Sequence, residues 1–115
     1  MSAVTLDRRL VLEARTRTPD GAGGYAEGWE ALGVLWAGLA PGAAGTARGA
    51  GPGAGITSSA TYRITCRAAP PGAPSRPRPG QRFRAGERLF VIEAVVEARA
   101  GAAFLTCHTR EETSA

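Results

Sequence analysis

Residues 9–41 read RLVLEARTRTPDGAGGYAEGWEALGVLWAGLAP, and how this stretch is read decides the fold. Leu10, Leu12 and Ala14 alternate with Glu13, Arg15 and Arg17, the period of two expected of a half-buried strand. Val11 breaks the polarity but suits a strand. Thr18-Pro19-Asp20-Gly21 then supplies a turn: proline fixes φ, aspartate can bond its own backbone, and the following glycines accept positive φ. After the turn, Val34, Trp36 and Gly38 share one parity while Leu35, Ala37 and Leu39 share the other. Apolar residues on both parities predict a strand covered on both faces, by core on one side and by a loop or neighbouring subunit on the other. Trp29 and Trp36 are both expected in the core, so truncating Trp36 is expected to unfold the protomer. A helix over 27–39 is the competing reading. Gly28, Gly33 and Gly38 argue against it, since each costs a helix about 1 kcal/mol relative to alanine. Pro41 is expected to end the strand.

Working outward, residues 42–59 read GAAGTARGAGPGAGITSS. Ordering such a segment costs roughly 1–2 kcal/mol per residue with little apolar surface to bury in return. It is therefore expected to be a mobile loop, either a tolerated insertion or a segment that orders only in an assembly. Residues 60–68 (ATYRITCRA) are the clearest strand, with Tyr62, Ile64 and Cys66 toward the core and Thr61, Arg63, Thr65 and Arg67 outward. Residues 69–80 (APPGAPSRPRPG) are a proline-rich connection expected to favour extended geometry. Short strands follow at 81–85, 88–98 and 102–109, the last with Phe104, Thr106 and His108 on one face and Leu105 and Cys107 on the other. Residues 110–115 read as a polar tail. About six strands with Gly/Pro turns predict an all-β fold, a small antiparallel β-barrel or sandwich, in one domain spanning 1–115.

The 115 residues carry a net charge of +4, all of it from arginine because the chain has no lysine. A GC-rich genome is the expected source of that bias, with selection for phosphate-binding guanidinium forks as the alternative, and so mild a charge permits contact with nucleic acid or an acidic partner without demanding it. No apolar run approaches the roughly 20 residues of a membrane span. Cys66 and Cys107 lie in strand-like runs and are expected to be buried and reduced. His108 is the only histidine, and no Ser-His-Asp set can be assembled around it. Cys66, Cys107 and His108 make a poor metal site, since neighbours on a strand point to opposite faces. The glycine segment lacks the GxxxxGK[ST] phosphate-loop pattern. The residues thus point to no catalytic site, cofactor or metal, and function has to come from architecture.

The order TPDGAGGY, a tryptophan, VLWAGLAP, a Gly/Ala-rich loop, TYRIT and PGQRFRAGERLFVIEAVVEARAGAAFLTC resembles the phage head–tail joining proteins, also called head-completion, connector or stopper proteins. The resemblance runs from about Arg9 to Cys107. It implies a virion component, not an enzyme, of a tailed phage or a phage-like gene transfer agent, assembled in the bacterial cytoplasm. It further implies a homo-oligomeric ring, six- or twelve-fold, with a portal or adaptor ring on one side and a tail terminator or tail tube on the other. Such a ring extends the channel for packaged double-stranded DNA, helps retain that DNA and docks the tail. Within the long loop, Gly42, Thr46, Arg48, Gly51, Gly55, Thr57 and Ser58 are then candidates to face the channel. Arg15, Arg17, Leu35, Leu39, Arg63 and Arg67 are candidate subunit or partner contacts. The alternative is a small β-barrel binding nucleic acid outside a virion, which would need Trp29 and Trp36 as stacking platforms beside a basic groove.

Overall fold

The computed structural model describes residues 5–48, 56–97 and 103–112. Six strands run in order: β1 (Arg8–Pro19), β2 (Tyr25–Arg48), β3 (Ile56–Arg67), β4 (Arg82–Ala85), β5 (Arg88–Glu97) and β6 (Phe104–Glu112). All pair antiparallel in one sheet of order β1-β2-β3-β6-β5-β4, which closes on itself through β1 and β4. The closing ladder is short, from Val11 opposite Arg84 to Glu13 opposite Arg82. The all-β expectation holds, and it is the closed ring-like sheet, not the sandwich, that forms. Closure spares the sheet most of its exposed edges.

The alternation read from the sequence builds the core. Leu10 and Leu12 from β1, Ile64 and Cys66 from β3, Phe83 from β4, Phe90 and Ile92 from β5, and Leu105 and Cys107 from β6 are all essentially inaccessible. Burying side chains of this size is worth about 1.5–3 kcal/mol each, and this interior is what holds the ring together. Tyr62 stands edge-on to Phe90, with ring centroids 5.3 Å apart. Both cysteines are free thiols in this interior, and the hydrogen bond with the neighbouring Cys66 thiol, together with burial, pushes that of Cys107 up.

The 24 residues of β2 would span about 80 Å if straight, at roughly 3.3 Å per residue. The longest dimension of the molecule is 48 Å, so β2 must bend, and irregularities in register mark where. Opposite Leu12 and Glu13 the partners are Gly33 and Ala31, leaving Leu32 as the extra residue of a bulge. A second break lies between Pro41 and Ala44. Proline cannot donate to a ladder and is accommodated at such a bulge.

Here the structure corrects the sequence reading. Pro41 does not end β2, and 42–59 is not a loop throughout. β2 continues to Arg48 and β3 begins at Ile56, with Thr46 opposite Ser58 and Ala47 opposite Thr57. A ladder is made of backbone hydrogen bonds, so glycine and alanine can extend it without a side chain to bury. Small residues even favour it here: a Cβ on Gly42 would lie 2.5 Å from the hydroxyl oxygen of Thr61. The β6 strand likewise runs on to Glu112, past the expected start of the tail.

The proline-rich connection is also corrected, from extended to turned. Ala73 N–H donates to the Pro70 carbonyl, Arg76 N–H to Ala73, and Gln81 N–H to Arg78. Arg76 ties the connection down by donating to the Ala69 carbonyl at 2.7 Å and pairing with Glu97, while Pro77 is fully buried.

Candidate assembly surfaces

Three surfaces emerge, all built around β2. The first is the β1–β2 hairpin. Its turn is closed by Asp20, whose Oδ1 accepts from the N–H groups of Ala22 at 2.8 Å and Gly24 at 3.1 Å. Beyond the bulge, residues 14–19 pair with 25–30 and, among the described residues, with no other strand, leaving a two-stranded ribbon that projects from the ring. One ribbon face carries alternating cations and rings. Arg17 lies 4.2 Å from the Tyr25 ring centroid, and Trp29 has Arg82 at 4.0 Å and Arg15 at 5.4 Å.

At the base of this ribbon Glu13 is almost fully buried. It accepts from Arg82 Nε at 2.7 Å on one oxygen and from Arg84 Nε at 2.9 Å on the other. Burial alone would push the carboxyl up. The hydrogen bonds and charges of the two guanidinium groups outweigh it and hold Glu13 below its ordinary value of 4.5. A second pair, Arg88 with Glu111, is bidentate at 2.7 and 3.1 Å. The Arg88 bond lowers Glu111, and that carboxylate in turn raises Arg88. The Glu13 set links strands distant in sequence, the Arg88 pair the consecutive strands β5 and β6, and the ionic chemistry they offer is structural.

The second surface is the outer face of β2-β3-β6-β5. Two cross-strand rows define it: Gly38–Thr65–Thr106–Val96 and Ala40–Arg63–His108–Ala94. With the small Gly38, Ala40 and Ala94 at their ends, these rows leave an open groove of about 510 Å³, lined by Ala40, Arg63, Thr65, Val96, Thr106 and His108. Trp36 and Val96, 57% and 45% exposed, stand beside it. The N-terminal segment crosses this face, its Thr5 carbonyl so close that a Cβ on Gly38 would lie 2.4 Å away. The third surface is the β2–β3 ribbon of 44–48 and 56–60, projecting beyond the register break.

The structure distributes the sequence candidates unevenly. Arg15 and Arg17 are exposed on the hairpin, and Arg63 and Arg67 are exposed on the outer face, with Arg67 over the Phe104 ring. Leu35 and Leu39, expected on a contact face, instead pack against the core. Val34 and Trp36 hold the exposed side of β2, which corrects the core placement of Trp36. Gly42 lies at the start of the β2–β3 ribbon; Thr46, Arg48, Thr57 and Ser58 are paired within it. Gly51 and Gly55 lie outside the described residues. Cys107 is buried while His108 is exposed on the opposite face of β6, so the Cys66, Cys107 and His108 trio does not converge. The Glu13–Arg82–Arg84 cluster was not anticipated. Its sequence signal was a glutamate on the polar parity of β1, indistinguishable from a solvated charge.

A small closed β-sheet with projecting ribbons and purely structural ion pairs is the architecture of a building block. The chain belongs to the phage head completion protein family, whose model matches residues 1–112, and that family is structural and not enzymatic. It is also similar to a chain in the solved structure of the virion of a native gene transfer agent particle. The identity is 43%, the TM-score is 0.77, and the alignment covers 98% of this chain and all of the other. No curated protein sequence matches significantly.

Proposed function

We propose that this protein is a virion subunit at the head–tail interface of a gene transfer agent or tailed phage, assembled into a homo-oligomeric ring around the DNA channel. The observation that carries this reading is the end-to-end similarity, at 43% identity, to a chain of a gene transfer agent virion, joined to membership in the head completion family. In this role one side of the ring meets a portal or adaptor and the other a tail terminator or tail tube. The channel holds packaged double-stranded DNA, which the ring helps retain.

The geometry supports a division of labour. The core and the Glu13 and Arg88 ion pairs hold the protomer. The exposed Arg63, Arg67 and Trp36 on the outer face, and Arg15 and Arg17 on the hairpin, offer contacts to neighbours. The β2–β3 ribbon, with Arg48 near its end, is the element proposed to reach toward the channel. As a nucleic-acid binder acting alone the protein is less well equipped. Trp29 is already covered by guanidinium groups, which removes it as an open stacking platform.

Purified particles from cells making a tagged copy test the role by electron cryomicroscopy. A cyclic ring of this chain between portal and tail is the expected result. Recovery of the chain solely as a free monomer, with particles of normal composition lacking it, would overturn the reading.

A further inference from the structure

We infer that Cys66 and Cys107 form an oxidation site, joining as a disulfide across β3 and β6 once the particle meets peroxide outside the cell. This rests on the virion reading above for its setting and on the fold alone for its chemistry. The register supplies the first argument. Ile64 stands opposite Cys107 and Cys66 opposite Leu105, so the two cysteines are diagonal neighbours on one face of a single antiparallel ladder. That face is the core: both thiols are free, fully inaccessible and part of one apolar cluster.

Contact is the second argument. Each thiol is the hydrogen-bonding partner of the other, so the sulfurs already meet. Diagonal Cα atoms lie roughly 7–8 Å apart, just beyond the usual disulfide range of about 4.4–6.8 Å, and closure therefore draws β3 and β6 together locally. The setting is the third. Thiols stay reduced in the cytoplasm, whereas disulfides form and persist in oxidising surroundings, virion surfaces included. A virion subunit passes from one to the other.

The two sulfurs take different roles. The hydrogen bond from Cys107 and, behind it, the charge of Arg76 favour the thiolate of Cys66, while the same bond and burial hold the proton on Cys107. The Cys66 thiolate attacks one oxygen of hydrogen peroxide and the O–O bond breaks. The departing hydroxide takes up the proton that Cys66 released and becomes water. The Cys107 sulfur then attacks the sulfenic acid: an S–S bond forms, the S–O bond breaks, and the hydroxyl leaves as a second water with the Cys107 proton. Two thiols lose two electrons and two protons, and one peroxide becomes two waters. Because both sulfurs are buried, the oxidant reaches them through local opening of the ring, and the reaction is slower than at an exposed thiol. The bridge closes a loop that contains β4 and β5, which restricts the unfolded chain.

The isolated chain, first reduced and then treated with hydrogen peroxide at neutral pH, has its remaining thiols alkylated and is digested with trypsin. A peptide joining residues 64–67 to residues 100–110 is expected, with Tm raised by roughly 5–15 °C over the reduced chain. Released particles, alkylated as they are opened, are expected to carry the same joined peptide, and particles taken from inside the cells to lack it. Thiols that stay free in the folded chain after peroxide, or that oxidise singly without joining, overturn the inference. So do free thiols in released particles that contain the chain, and each of these results leaves the virion reading standing. Absence of the chain from particles overturns the virion reading and with it the setting, while the isolated chain still decides the chemistry.

Discussion

Replacing Glu13 with alanine removes the acceptor that two guanidinium groups share at the seam between β1 and β4. The closing ladder there is short, so this cluster is a principal tie across it. A hydrogen bond to a charged group contributes about 1.5–3 kcal/mol net. The Arg82 bond takes most of that range, because its side chain and that of Glu13 are 16% and 8% exposed. The Arg84 bond takes less, about 0.5 kcal/mol, because that side chain is 42% exposed and solvent screens the pair. Removing the carboxylate also leaves Arg82 beside Trp29 without its counter-charge, which brings the expected loss to about 2–4 kcal/mol.

For 115 residues, an unfolding entropy near 2.1 cal/mol/K per residue makes 1 kcal/mol worth about 4 °C, so Glu13→Ala should lower Tm by roughly 8–16 °C. Thermal melts followed by circular dichroism at pH 7 measure this, with Glu13→Gln expected to fall between wild type and alanine. The pH dependence gives a second reading. The folded carboxyl is held below its ordinary 4.5, so its stabilisation is complete above that value and is lost as pH falls through the lower folded pKa. The gap between wild type and Glu13→Ala should therefore shrink in strong acid. A Glu13→Ala melt within 2 °C of wild type at pH 7 would refute the reasoning, because it would mean that desolvation of the carboxylate cancels both bonds.

Other expectations follow from burial and close approach. Trp36→Ala should shift stability by no more than about 0.5 kcal/mol, since the side chain is 57% exposed; urea unfolding of the isolated chain measures it. Phe83→Ala should cost about 3–5 kcal/mol, because this ring is fully buried on the short β4 and faces Phe90 across the ladder; the same titration reads it as a lowered midpoint. Gly38→Ala should displace the N-terminal segment from the outer face, because the new Cβ would lie 2.4 Å from the Thr5 carbonyl, and trypsin should then cleave after Arg8 and Arg9 faster than in wild type.

What the sequence made legible was the side of each strand that meets the core, and the reason is physical. Leu10, Leu12, Ile64, Cys66, Leu105 and Cys107 are buried as alternation predicts, because a period of two is a direct consequence of the pleat. Alternation fails where both parities are apolar, as from Leu32 to Leu39. There the pattern offers two candidate faces, and tryptophan, the larger apolar group, invites the wrong choice. The register resolves it: Leu35 stands opposite the buried Leu10, and Trp36 opposite the exposed Arg9. The pairing partner, a long-range fact, decides the face, and the bulge at Leu32 shifts parity along β2 so that no single frame describes the whole strand.

The Gly/Ala segment misleads for a related reason. Propensity charges glycine with its entropy and credits it with no buried area, so the sequence predicts a loop. Yet a strand already aligned by Ala37 opposite Cys66 and Leu39 opposite Ile64 presents its next donors and acceptors at ladder spacing, and the close approach of Gly42 to Thr61 needs a residue without a Cβ. The same logic hid the Glu13 cluster. A glutamate on the polar face of a strand reads as solvated until β4, arriving from about 70 residues later, sets two arginines against it. In each case the missing information was the identity of the neighbouring strand.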